Sequence, residues 1–354
     1  MAYTTINKST NYFNSKLHDG TGVAKTLAYD FEVDMFWTKM RNQGYPHMIF
    51  DAVRGNLTRL ETASTGAQSV AGNTVSFGNS SGISLGSDSG NYGTNKQYLD
   101  DGTTTAQYVG WGWKANGAGV TNTDGSITST VSTNTTSGFS IVKYSGIATN
   151  ATVGHGLGVA PKMIIVKNLG AAESWFVYHA DLTSAAYTIN LDTAGAQFSN
   201  ASTWNSTAPS SSVFSIGTDT GTNGDGHNII AYCFADVQGY SKFGSYTGNG
   251  NADGSFIYTG FKPAWVMIKK TNDTHAWRIY DGVRDAHNLT EKILESNTDN
   301  AEATSGTYVL DLVSNGFKFR GNGDGVNGSG QSFIYMCFAE APLVGTNNVP
   351  CAAR

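Results

Sequence analysis

The stretches "IIAYCFADVQ" at 229–238 and "FIYMCFAEAP" at 333–342 are close copies of one apolar phrase, and "YVGWGWKAN" at 108–116 is a weaker third copy. No other feature constrains the fold as strongly, because an internal repeat decides how every later segment is interpreted. Other anchors recur in the same order. "VDMFWTK" (33–39), "PKMIIVK" (161–167) and "PAWVMIK" (263–269) each run apolar into a lysine. From Lys39 to Phe50, Lys167 to Tyr178 and Lys269 to Tyr280 the spacing is 11 positions every time. Two residues before each apolar run stand Phe31, Val159 and Phe261. "GISLG" (82–86), "VFSIG" (213–217) and "GFKFRG" (316–321) pair Ile83 with Phe214 and Phe317, and Leu85 with Ile216 and Phe319. Each pair is two apart, so both side chains share one face of a strand. The unit starts, "YFNSKLHDG", "FSIVKYSG" and "FGSYTG", each alternate into a glycine turn. The chain is a triplicated module.

Composition says what kind of module. Glycine is abundant (43), proline scarce (6), and charged residues make up 14%, well under the roughly 25% of an average soluble protein. Serine, threonine, asparagine and glycine suit short strands and tight turns better than amphipathic helices. Period-2 patterning dominates, turn phrases such as "TGNGNADG" punctuate it, and only "NLTEKILES" (288–296) reads as a short helix. The expected fold is all-β: tandem β-sandwich domains of jelly-roll, lectin-like type. Closing strands apolar at nearly every residue are expected to be buried on both faces. The organisation reads as a divergent first repeat over 1–116, a Ser/Thr/Gly-rich linker or added strand over 117–138, a second repeat over 139–240 and a third over 241–354. Units of this size can hold their own cores, which predicts beads in series.

Basic residues (22) and acidic residues (27) nearly balance, which disfavours nucleic acid and anionic lipid as partners. No apolar run approaches the roughly 20 residues of a membrane span. "MAYTTINKSTNYF" lacks a basic and an apolar signal region, so no secretion signal is expected. Cys233 and Cys337 lie inside apolar strands, where a thiol is a small hydrophobe, and the odd total of 3 argues against a disulfide framework. Synthesis in a reducing cytoplasm follows.

"GHGLGVAPKMIIVKN" (154–168), "SITSTVSTNTTSGFSIVKYSG" (126–146) and the block from "YTGNGNADGSFIYTGFKPAWVMIKK" to "YDGVR" resemble a repeat of bacteriophage virion proteins, especially tail fibres of marine phages, with a concanavalin-A-like lectin/glucanase sandwich. The resemblance covers essentially the whole chain. It implies a virion-surface protein, a tail fibre or receptor-binding component, with other virion proteins and a host-surface polysaccharide or receptor as partners. It also implies a homo-oligomer, a trimer as in fibres. The alternative is a purely architectural capsid-decoration or tail-assembly protein. Unit one departs most, with "FEVDMFW" in place of the Gly-x-x-Pro lead-in. No site motif carries over.

Glycosidases of this fold class use paired carboxylates. "EVDMFW" has Glu32 and Asp34 in Glu-x-Asp spacing, but Trp37 holds the third acid's place, and units two and three have no matching acids. Two acids on a solvated strand edge is the preferred reading, and no enzyme is expected. The histidines lack metal-ligand spacing, and His155 and His275 read as exposed loop residues. Neither a metal nor a cofactor is expected. The loops "GSDSGNYGTN" (86–95), "GTDTGTNGDGHN" (217–228) and "GNGDGVNGSG" (321–330) do not fit a twelve-residue calcium loop and read as turns.

Asp51-x-x-Arg54 and Asp281-x-x-Arg284 follow matched strands. As a sugar clamp the pair would bond hydroxyls through carboxylate and guanidinium; as structure it would be an ion pair or turn lock. Unit two has His179 and Leu182 there and keeps the flanking strands, which favours structure. Trp37, Trp111, Trp113, Trp265, Phe234 and Phe338 stand at repeated strand positions and read as core. Trp175 and Trp277, three residues before Tyr178 and Tyr280, also fit a core. Tyr92, Tyr98 and Trp204 lie in non-repeated loops and are the surface candidates for stacking on sugar.

Overall fold

A computed structural model describes residues 3–72, 74–88, 93–347 and 349. The repeats become three copies of one antiparallel sheet with one spatial order: opening strand, closing strand, lysine strand, return strand and two short outer strands. In unit one these are Phe13–Asp19, Gln107–Trp113, Met35–Met40, Met48–Asp51, Thr58–Glu61 and Ser69–Val70. In unit two they are Phe139–Ser145, Asn228–Phe234, Met163–Asn168, Phe176–His179, Tyr187–Asn190 and Phe198–Ser199. In unit three they are Ser241–Thr247, Ser332–Pro342, Phe261–Lys270, Arg278–Asp281, Lys292–Glu295 and Ala303–Thr304. A smaller sheet covers one face of each, for example Phe256–Tyr258, Gly316–Phe319 and Leu310–Val313 in unit three. The protein is all-β, built from two-layer sandwiches.

Register ties the copies together residue by residue. Phe13 faces Trp113, Phe139 faces Phe234 and Ser241 faces Phe338 between opening and closing strands. Met35 faces Asp51, Met163 faces His179 and Trp265 faces Asp281 between lysine and return strands. Segment 117–138 supplies Val120–Asn122 and Ser129–Asn134, which extend unit two's sheet past its opening strand to eight strands.

The closing strands are buried on both faces, and strand alternation explains how. Ile229, Ala231 and Cys233 point into unit two's own sandwich core. Ile230, Tyr232 and Phe234 point the other way, into a cluster that draws residues from all three units. Phe333, Tyr335 and Cys337 divide from Ile334, Met336 and Phe338 in the same manner. The units are therefore not independent beads, because each lends one face of its main sheet to a shared centre. Trp265 of unit three lies within 6.4 Å, between ring centroids, of Trp37, Trp111, Trp113 and Phe13 of unit one. Phe234 of unit two meets Phe338 of unit three at 6.0 Å.

Two local expectations change. Residues 288–296 form no helix: Lys292–Glu295 is a strand paired to Arg278 and Ile279, and sheet pairing overrides helix propensity. One-turn helices appear instead at Ala201–Trp204, Thr220–Asn223 and Asp324–Asn327. Val159 is 52% exposed whereas Phe31 and Phe261 are buried, so that position is not a core position in unit two. No helix among the described residues is long and apolar enough to cross a membrane.

Candidate functional site

The polar residues that mark the repeat sit at the junctions between units. Asp51 and Arg54 are paired with both side chains fully buried, as are Asp281 and Arg284. In each pair the aspartate also accepts the arginine's own backbone N–H, and the guanidinium reaches back to a strand carbonyl, Ile49 or Ile279, at 2.8 Å. The neighbouring unit completes the contact. The Tyr232 hydroxyl of unit two donates to Asp51 at 2.7 Å, and the Trp111 indole of unit one donates to Asp281 at 3.1 Å. At the third junction His179 of unit two meets the Tyr335 carbonyl of unit three. Unit two thus leans on one, one on three and three on two, a closed ring. These four charged residues have no free surface for a saccharide.

The lysines that end the apolar runs close the ring a second time. Lys39 donates to the Met40 carbonyl at 2.7 Å and to Asp299 of unit three at 3.3 Å. Lys167 bonds the carbonyls of Glu173 and, at 2.7 Å, Thr65 of unit one. Lys269 bonds His275 at 2.7 Å and Ala194 of unit two at 2.9 Å. Burial pulls all three down from the usual lysine range, to about 7 for Lys39, about 8 for Lys167 and about 7 for Lys269. Trp175 and Trp277 are core as expected, and their indoles donate to the Glu61 and Asn190 carbonyls of the adjoining units. His47 holds the equivalent position in unit one, beside the Glu295 backbone, and burial drives it well below the usual histidine range.

The remaining sequence candidates scatter. Trp204 is 1% exposed, packed edge-on against Tyr178, because the turn of helix at Ala201–Trp204 folds it into unit two's core. Tyr92 lies outside the described residues. Tyr98 is 39% exposed in an isolated bridge with Thr105. His155 is buried rather than exposed, receives the Leu157 N–H on its ring, and is lowered by that burial. Asp34 is buried, not on a solvated edge. It accepts the N–H groups of Ala115 (2.6 Å) and Gly117 (3.0 Å), and burial raises it to about 6 against those bonds. Glu32 is half-buried. Sequence reading missed Phe256 and Tyr258, 48% and 56% exposed, two apart on one outward face of unit three's smaller sheet. Their alternation with buried Ile257 was the available signal.

Each glycine-rich loop contains a buried asparagine that staples it. Asn95 bonds the carbonyls of Val23 and Gly86, Asn223 those of Thr149 and Gly217, and Asn327 those of Asn251 and Gly321. The loops also bring Asp273, His275 and Asp324 together. Lys270 already supplies a cation there, 3.2 Å from Asp273 and 2.6 Å from Asp324, while His275 bonds Asp324 at 2.8 Å. That group is a charge network.

One cleft of about 410 Å³ opens at the junction of units one and three. Phe13, Asn14 and Ser15 of the opening strand form one wall, and Ala264, Gly282 and Val283 another. The Lys262–Glu340 ion pair, 2.6 Å apart, lies on its border.

Together these features define a class: a ring of three β-sandwiches in one chain, with the repeat's charged residues buried as inter-unit locks and an open cleft between units one and three. The chain belongs to the family described as "Domain of unknown function (DUF7483)", whose profile matches residues 8–342. No curated protein matches the chain.

Proposed function

We propose that the protein is a non-enzymatic structural component of a bacteriophage particle, a tail-fibre or receptor-binding part that meets host-surface glycan. The observation that carries this reading is the burial of the repeat's polar signature. An enzyme gathers its charged groups around a cleft where substrate can reach them, whereas here the lysines and the Asp-x-x-Arg pairs hold unit to unit. What faces outward includes loops, the aromatic side chains of Tyr98, Phe198, Phe256 and Tyr258, and the cleft between units one and three. Aromatic faces stack on sugar rings, and exposed Tyr is at home in interfaces. The sequence resemblance to phage fibre repeats supplies the setting on the virion surface, among other virion proteins.

In this reading each chain is a ring of three repeats, and the homo-oligomer, a trimer by the fibre resemblance, gathers several such rings at one mounting point. Weak sites multiplied over many copies reach useful avidity through effective concentration. The test pairs a reconstruction of the intact particle with host adsorption. Density for this ring at an outward-facing tip, and purified protein that competes with particles for host cells, are the expected results. Burial of the ring between other subunits, with adsorption unchanged in particles lacking it, would replace adhesion with a spacer role.

A further inference from the structure

The three junctions of the ring differ, and the cleft lies at the odd one. Residues 114–138 carry the chain from unit one to unit two, and 235–240 carry it from two to three. From unit three back to unit one no connector runs. The terminal segments meet nearby, through a reciprocal Asn7–Thr346 side-chain and backbone contact, and leave the cleft open.

Two of its lining positions are smaller than their counterparts elsewhere. Register places Ser15 opposite Trp111, Ile141 opposite Tyr232 and Phe243 opposite Met336, so the three are equivalent. Ile141 and Phe243 fill the shared core with apolar side chains. Ser15 leaves space and a buried hydroxyl with no protein partner. The residue following the return strand is Ala52 in unit one and Ala180 in unit two, but Gly282 in unit three. A Cβ placed at Gly282 meets nothing closer than Leu312 Cδ1 at 3.9 Å, and its backbone is not left-handed. Both changes enlarge the same cavity, and Ser15 adds a hydroxyl to its lining.

We propose that this cleft is a saccharide subsite that takes a neutral mono- or disaccharide, such as the end of a surface polysaccharide. The assignment rests on the adhesion reading above and gives it a location. The volume falls within the roughly 300–1,000 Å³ of ligand sites, which favour such inter-domain positions. The carboxylate and ammonium groups at the border are paired, Lys262 with Glu340 at 2.6 Å and Asp285 with Lys292 at 3.6 Å, with the exposed His287 imidazole beside them, so these pairs select neither an anion nor a cation. Paired charges held in place remain oriented donors and acceptors, which suits hydroxyl groups. Asn14 accepts the Ser15 N–H on Oδ1, and its Nδ2 makes no hydrogen bond among the described residues. Val283, Ala264 and Leu312 offer an apolar wall for the C–H face of a sugar ring. A ligand hydroxyl would give Ser15 the partner that a buried hydroxyl requires.

The test is saturation-transfer NMR on the full chain, with glucose, galactose, N-acetylglucosamine and their β-linked disaccharides as probes. At least one probe is expected to bind at millimolar concentration. Gly282→Trp, which fills the cleft from open space, and Ser15→Ile, which installs unit two's residue, are each expected to weaken binding about tenfold or more. Val120→Ala, on the edge strand of unit two's sheet, is expected to leave it unchanged. The assignment is overturned if no probe binds, if Gly282→Trp binds as tightly as the parent, or if Val120→Ala alone abolishes binding. A chain that binds no probe yet still competes for host adsorption would sink the subsite and leave adhesion standing.

Discussion

The buried Asp51–Arg54 pair is the most exacting place to test the ring. In Asp51→Ala the guanidinium stays behind at zero exposure, bonded to the Ile49 carbonyl at 2.8 Å and weakly to Thr58 and Gln68 at 3.5 Å, with the Tyr232 hydroxyl beside it. Leaving one member of a buried pair costs about 3–5 kcal/mol, and the stranded Tyr232 hydroxyl adds about 1–3 kcal/mol. The remaining bonds to Arg54 offset part of this, so a loss of about 4 kcal/mol is expected. Unit two supplies the control, because its frame is intact with His179 and Leu182 at the same positions. The double change Asp51→His, Arg54→Leu removes charge and countercharge together and is expected to lose only about 1–2 kcal/mol, since it strands no buried charge. Urea unfolding of the parent, Asp51→His, Arg54→Leu and the double, with Asp51→Ala alongside, followed by fluorescence of the seven tryptophans, all of them buried, measures the cycle. A single-variant loss under about 1 kcal/mol, or a double equal to the sum of the singles, would refute the reasoning.

Other outcomes follow from the same geometry. Because the central cluster draws on all three units, the full chain should unfold in one transition, and a 1–116 fragment should bind a hydrophobic dye and lack a cooperative melt; a fragment with a sharp melt of its own would restore independent beads. Lys39, Lys167 and Lys269 are lowered to about 7, 8 and 7, against roughly 10.4 in an unfolded chain. Between those limits the unfolded chain binds more protons, so stability should rise with pH from about 7 towards 10; a flat or falling urea midpoint in the parent, or a slope left unchanged by Lys269→Met, would count against neutral buried amines. Asn327→Ala removes bonds to the Gly321 and Asn251 carbonyls and to the Asn249 N–H, for an expected loss of about 2–4 kcal/mol. Asn223→Ala should lose a similar amount, and a neutral result at either would dismiss the staple.

The triplication, the strand frame and the burial of both faces of the closing strands were legible in the residues, because strand alternation and fixed spacing survive divergence. What covered the second face was not. An apolar run such as Ile229–Phe234 is satisfied equally by a sheet of its own unit or by a neighbour, and spacing along the chain does not distinguish them. The lysines were visible as markers, but their burial ran against the ordinary exposure of lysine; only the facing carbonyls of Asp299, Thr65 and Ala194 explain it. Trp204 looked exposed because its loop does not repeat and His155 because it lies in a glycine turn, and a single turn of helix or one ring-to-backbone bond was enough to turn each inward. The stapling asparagines were hidden among the many Asn, Gly and Asp of the turns.

The cleft was illegible for a further reason: it is a difference between units, and only register brings Ser15 beside Ile141 and Phe243. The locks explain why variation could gather there. A buried donor or acceptor must keep a partner, so the three junctions changed their chemistry without losing the bond: phenol to Asp51, indole to Asp281, imidazole to the Tyr335 carbonyl. A buried charge pair can leave only as a pair, and unit two lacks both members. Those constraints hold the frame fixed at all three junctions. The connector-free junction of units three and one carries no joining segment, and there the chain has serine where the other units have a core side chain and glycine where they have alanine. If the cleft were merely a packing fault, Ser15→Ile would stabilise the chain and change nothing it binds; a functional cleft trades that stability for an open, polar site.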